Sequence, residues 1–245
     1  MGEESERGGR AKGALLLDAG NTLVFLSHEA VADVVASHGH ALDARVLLRE
    51  EGVAKRRYEA LMAAGVSHEE GWGLYLRALL EAGGLGADDA RAMIAPLRRA
   101  HDAFNLWRRV PPGTAEALAR ARAAGMRVAV VSNSEGRLPE LFERVGLGPH
   151  IELVVDSHHE GVRKPDPELF RRALARLGVG AERSVYLGDI PGVDVVGARA
   201  AGIDAVLVDP LGFYEGYADA PRVESVVAYV AATLGPESEA HGHRR

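Results

Sequence analysis

Apolar residues along the chain fall in five short, unbroken runs: 14–17, 128–131, 153–155, 185–187 and 205–208. A run without polar alternation suits a strand buried on both faces, as in a parallel sheet between helices. The segments between the later runs carry helical signals. Residues 114–124 form a helical pattern that stops at Gly125, a residue suited to the left-handed turn after a helix. Asp166 offers an N-cap with Pro167 at the first helical position. Leu169, Phe170, Ala173, Leu174 and Leu177 then line one stripe, which Gly178 ends. Alternation of strand and helix predicts an α/β fold with a doubly wound parallel sheet.

The rhythm breaks once. About 100 residues separate the first run from the second, against the few tens that a strand–helix–strand unit needs. The intervening part, 27–107, is rich in Ala, Leu, Arg and Glu and reads as helices over 29–37, 43–64, 69–81 and 87–104. Gly83-Gly84-Leu85-Gly86 is read as a turn between two of them, because no strand precedes it to make a phosphate loop. The insert is expected to be a helical cap placed over the crevice of an α/β core made of 13–26 and 108–235. Pro111-Pro112-Gly113 marks the return to that core. Residues 1–12 and 236–245 read as disordered tails, with His241 and His243 solvated rather than metal-binding.

Composition narrows the function classes. The chain has 245 residues, a formal net charge of −6 and no cysteine. Disulfides, thiolate catalysis and cysteine-based zinc sites are excluded. The acidic balance argues against nucleic acid and anionic membrane as partners. No apolar run approaches the roughly 20 residues that span a bilayer. The polar segment 1–13 does not read as a secretory signal, so the expected compartment is the cytoplasm. Oligomeric state is not legible.

Candidate chemistry follows the strands. Asp18 follows the first run, Ser132 and Asn133 the second, and Asp189 the fourth, with Asp194 five residues later. Lys164 lies in Arg163-Lys164-Pro165-Asp166, after the third. In a parallel sheet these strand ends share one edge, where open α/β sheets bind ligands. Each residue has a structural alternative: strand-end acids cap turns, and Lys-Pro-Asp-Pro starts a helix well. Their conjunction in chain order favours phosphoryl transfer. A carboxylate nucleophile divides hydrolysis into two easier steps through an aspartyl-phosphate. Asp18 and Asp189 offer oxygens to Mg²⁺. Lys164 is suited to neutralising the phosphate, and Ser132 with the backbone amide of Asn133 to binding its other oxygens. Position 20 is glycine, where a second carboxylate would make a general acid/base pair with Asp18.

The segments Asp18-Ala19-Gly20-Asn21-Thr22-Leu23, Val131-Ser132-Asn133, Lys164-Pro165-Asp166-Pro167 and Gly188-Asp189-Ile190-Pro191-Gly192-Val193-Asp194 resemble motifs of the haloacid dehalogenase (HAD) superfamily. The resemblance extends over the core, about 13–210, and implies a Rossmann-like core with an inserted cap. It implies a Mg²⁺-dependent phosphatase acting on a small phosphorylated substrate. Asp18 is then the nucleophile and Thr22 shapes the motif loop. The Gly20 carbonyl, Asp18 and Asp189 hold the metal, and Asp194 supports the metal site or Lys164. Gly20 departs from the family pattern, which places a proton-donating Asp there. His28, His101, His158 and His159 are candidate substitutes, each read more readily as solvated or hinge residues. A phosphonatase-like carbon–phosphorus hydrolase using Lys55, on what reads as an exposed helix face, is an alternative. A metal-independent dehalogenase and a non-catalytic phosphate-binding protein are two others.

Overall fold

The computed structural model describes residues 13–64 and 68–235. The expected tails 1–12 and 236–245, with His241 and His243, lie outside the described residues. The chain divides into two compact units, one containing residues up to Leu23 and from Val110 onward, the other Val24–Arg109.

The first unit is built on six parallel strands, and two short antiparallel strands belong to the second. In chain order the strands are β1 (Ala14–Leu17), β2 (Phe25–Leu26), β3 (Trp107–Arg109), β4 (Arg127–Ser132), β5 (Leu153–Asp156), β6 (Ser184–Gly188), β7 (Asp204–Val208) and β8 (Arg222–Val223). The main sheet runs β5-β4-β1-β6-β7-β8, all pairs parallel. All four residues of β1 are fully buried, as an unbroken apolar run requires of a strand covered on both faces. One cover is the helix Pro167–Leu177, whose Leu169, Phe170, Ala173, Leu174 and Leu177 pack with Leu16, Ala129 and Val131. The Asp166 side chain accepts a hydrogen bond from Glu168 N, and Gly178 closes that helix in the left-handed conformation. The doubly wound parallel α/β reading therefore holds.

β1 is the topological switch. The chain steps from β1 to β4 and β5 on one side, then crosses to β6, β7 and β8 on the other. Leu17 stands opposite both Val130 and Leu187, so Asp18 emerges between the ends of β4 and β6. A ligand crevice belongs at this place in an open sheet.

The second unit contains helices His28–Ser37, Ala44–Ala63, His68–Ala82, Ala87–Ala92 and Ile94–Ala103, and the antiparallel pair β2–β3. Where one helix was expected over 87–104, two are found. Pro96 has no N–H, and its ring would collide with the Ala92 carbonyl in a continuous helix, so the first helix stops at Ala92. Three candidate polar residues are buried in this unit. Lys55 is buried, because Leu47, Glu51, Ala54 and Lys55 share the inward face of Ala44–Ala63, while its neighbours Arg56 and Arg57 are exposed. His28 is buried rather than solvated, with Nε2 3.1 Å from Glu51 Oε2, and Tyr75 donates its hydroxyl to Glu51 Oε1 at 2.9 Å. His101 is buried too: its Nδ1 accepts from Leu106 N, and its ring packs edge-on against Trp72. Trp72 lies in the core of this unit, with Tyr58 and Trp107 packed against it. No helix among the described residues is long and apolar enough to cross a membrane.

Candidate active site

Asp18, Lys164, Asp189 and Asp194 converge at the carboxyl edge of the sheet, all of them buried. One oxygen from each of the three carboxylates lies within 4.8 Å of the others. Lys164 Nζ donates to Asp18 Oδ1 at 2.8 Å, to Asp194 Oδ1 at 2.7 Å and to the Tyr186 hydroxyl at 2.7 Å. The ammonium thus spends its three protons on three named acceptors.

Each member is fixed by the elements around it. The main chain of Asp18 is tied to β6 by its N–H to Leu187 O at 2.9 Å. Lys164 is held through its backbone by one side chain. Asn133 accepts from Lys164 N at 2.8 Å and donates to Lys164 O at 3.0 Å, joining the loop after β4 to the loop after β5. Asp194 sits on a widened, π-helical turn, Pro191–Val195, that leads into the helix Val196–Ala200. Such turns re-aim a side chain within an otherwise ordinary helix start. Its Oδ2 accepts from Ile190 N at 2.9 Å. Two glycines make the approach possible. A Cβ at Gly188 would overlap the Asp194 side chain, and a Cβ at Gly197 would come within 2.6 Å of Phe170 and 2.9 Å of the Pro165 carbonyl.

Tyr186 was not legible as a site residue. It occupies the middle of β6, where the run Val185-Tyr186-Leu187 reads only as core. Its ring packs edge-on against Phe170, while its hydroxyl lies 2.9 Å from Asp194 Oδ1 and 3.0 Å from Val131 O. A polar-tipped aromatic two residues before a strand end was the available signal. Asn21 was missed as well: its Nδ2 donates to Asp189 Oδ2 at 3.2 Å. Ser132 is buried at the end of β4, and Thr22 is buried in the turn after β1, its Oγ1 without a hydrogen-bond partner.

The electrostatics show a deficit of positive charge. Burial pushes the Asp18 carboxyl up to about 6; Lys164 opposes the shift, and Asp194 and Asp189 add to it. Burial alone would lower the Lys164 ammonium, but Asp18 and Asp194 more than offset this and hold it above the usual lysine range. Burial, then Asp194 and Asp18, push the Tyr186 phenol well up, so it remains a neutral donor. Three buried carboxylates cluster here, two of them paired with Lys164. A divalent cation with carboxylate and water ligands suits this surplus. Asp18 and Asp189 fit as its ligands. Asp194 has both oxygens committed to Lys164, Tyr186 and Ile190 N, which suits a supporting role.

Comparison with known proteins agrees with this architecture. A family model described as haloacid dehalogenase-like hydrolase matches residues 13–202. The chain is 39% identical over 153 residues to phosphoserine phosphatase of Thermus thermophilus, covering 62% of this chain and 58% of that protein. It is 40% identical over 147 residues to phosphoglycolate phosphatase of Rhodospirillum rubrum, covering 57% and 61%. The matched part thus spans about three-fifths of the length of these curated relatives. Among solved structures, the magnesium-bound HAD-hydrolase YfnB of Bacillus subtilis superposes with a TM-score of 0.69 at 17% identity, covering 93% of this chain and all of that one. With the family model covering most of the chain, and with the same fold, the chain belongs to the haloacid dehalogenase-like hydrolases.

Proposed function

We propose that this chain is a Mg²⁺-dependent phosphatase that hydrolyses a small phosphomonoester through a phosphoryl group carried on Asp18. The observation that carries this reading is the Lys164 ammonium bonded to Asp18 Oδ1 beside two further buried carboxylates. Phosphatase names among the curated relatives support it. Asp18 and Asp189, with the Gly20 carbonyl, would hold the Mg²⁺, which supplies charge neutralisation between carboxylate and phosphate.

Asp18 attacks phosphorus, forming one P–O bond as the bond to the leaving oxygen breaks. Lys164 fixes the rotation of that carboxylate and places a positive charge beside it. Ser132 and the backbone amide of Asn133 bind the remaining phosphate oxygens. A water then attacks phosphorus and frees Asp18. Asp194 and Tyr186 hold Lys164 in position through both steps.

Gly20 confines the missing function to proton delivery. General acid catalysis is worth about 10²–10⁴-fold. Esters with good leaving groups are therefore the better substrates, with water protonating the rest. A phosphoester panel with and without Mg²⁺ tests the reading. Asp18→Asn is expected to abolish metal-dependent hydrolysis of an aryl phosphate, and undiminished turnover in that variant refutes the proposal. In the same panel Gly20→Asp should raise the rate on alkyl phosphates more than on aryl phosphates. No gain on alkyl phosphates shows that another group already delivers the proton.

A further inference from the structure

We infer that Asn21 is a positioning residue of the metal site, orienting Asp189 through its amide nitrogen and offering its carbonyl oxygen to a water held by the cation. The inference rests on the metal-dependent reading above. Asn21 stands at φ +52°, the one non-glycine residue at positive φ among the described residues. Asparagine tolerates the left-handed region better than most residues, but glycine tolerates it with no steric cost. The turn after β1, closed by Leu23 N to Ala19 O at 2.9 Å, therefore needs nothing from this side chain for its backbone. What asparagine adds is a carboxamide.

That carboxamide is only half satisfied. Nδ2 lies 3.2 Å from Asp189 Oδ2. A carboxylate only accepts, so the nitrogen must face Asp189 and the oxygen must face away from it. Oδ1 in that orientation is shielded from solvent and has no hydrogen-bond partner. A buried amide oxygen without a donor is costly, and its setting asks for an O–H group. In a cluster of three carboxylates and one lysine, water on a divalent cation is a donor that also corrects the charge. Partners that orient metal-binding carboxylates act on affinity through the ligand they hold. Asn21 fits that role, one hydrogen bond behind Asp189.

The test is calorimetric titration of Mg²⁺ into the metal-free full chain, comparing wild type with Asn21→Gly, with melting in chelator alongside. The variant should bind Mg²⁺ about 10–100-fold more weakly. Its metal-free melting temperature should be unchanged or higher, since glycine accepts the φ of this position. Mg²⁺ affinity equal to wild type overturns the inference and leaves the metal-dependent reading standing. A loss of affinity matched by a lower melting temperature in chelator also overturns it, because the side chain would then be structural. A wild-type chain that takes up no Mg²⁺ refutes the parent reading, and this inference with it.

Discussion

Four strands of the main sheet end in a buried aspartate, and the four divide into two kinds. Asp156, closing β5, accepts from Gly136 N and His158 N, both at 3.0 Å. Asp209, after β7, accepts from Phe213 N at 2.8 Å and Tyr214 N at 3.0 Å, and pairs with Arg222 at 3.0 Å. Asp156 thus holds the loop after β4 and the turn after its own strand, and Asp209 holds the loop after β7. Asp18 and Asp189, after β1 and β6, instead meet side chains from distant parts of the chain: Lys164 for the first and Asn21 for the second. Residue type and position are the same in all four. The difference is that Asp156 and Asp209 each accept from two loop N–H groups, whereas Asp18 and Asp189 each meet a side chain from a distant loop at the switch point. An acid at a strand end is therefore a site candidate only where the strand order reverses.

The largest contrast lies in turnover. Asp18→Asn should lower metal-dependent hydrolysis by at least about 10³-fold, as removal of a nucleophile does, whereas Asp156→Asn should leave turnover per folded molecule unchanged. Steady-state rates on an aryl phosphate decide, and equal losses in both would erase the distinction. Lys164→Met comes next. It leaves Asp18 and Asp194 buried without their cation, a loss of about 3–5 kcal/mol in stability, measurable by denaturant unfolding in chelator. Little change there would mean that the carboxylates do not depend on the lysine.

The pH dependence of metal-free stability isolates Asp18. Asp18 is raised from 3.8 to about 6, so between these values the folded state binds a proton that the unfolded state has lost. This group's contribution is present below about pH 4 and is lost as pH rises to 6. Melting of wild type against Asp18→Asn in chelator should show the two curves diverging across that window, the variant becoming relatively more stable. Asp209→Ala should have the smallest effect, about 1–3 kcal/mol of stability through lost loop hydrogen bonds, with no change in kcat. A fall in kcat would place Asp209 with the other kind.

Much of this site was readable because parallel strands put their carboxyl ends on one edge whatever lies between them. Asp18, Lys164, Asp189 and Asp194 are up to 176 residues apart, yet their places after successive parallel strands predicted the convergence. Tyr186 was not readable, because its hydroxyl acts from inside a run whose pattern says only core. Asn133 was expected to offer its backbone to phosphate, but its side chain proved to clamp Lys164, a pairing between loops that no local pattern encodes. In the helical unit, Lys55 was assigned to an exposed face because Arg56 and Arg57 follow it. Helical geometry puts it beside Glu51 and Ala54 instead, on the inward stripe. Strands β2, β3 and β8, two or three residues each, are too short for any periodicity to show.

The central claim is that Asp18 becomes covalently bound to phosphorus. Each in-line displacement inverts the phosphorus centre, so two successive ones restore it. The most direct measurement is the stereochemical outcome of Mg²⁺-dependent hydrolysis of an isotopically chiral aryl phosphorothioate in isotopically enriched water. Net retention is the predicted result. Net inversion would show a single displacement by water and contradict the account.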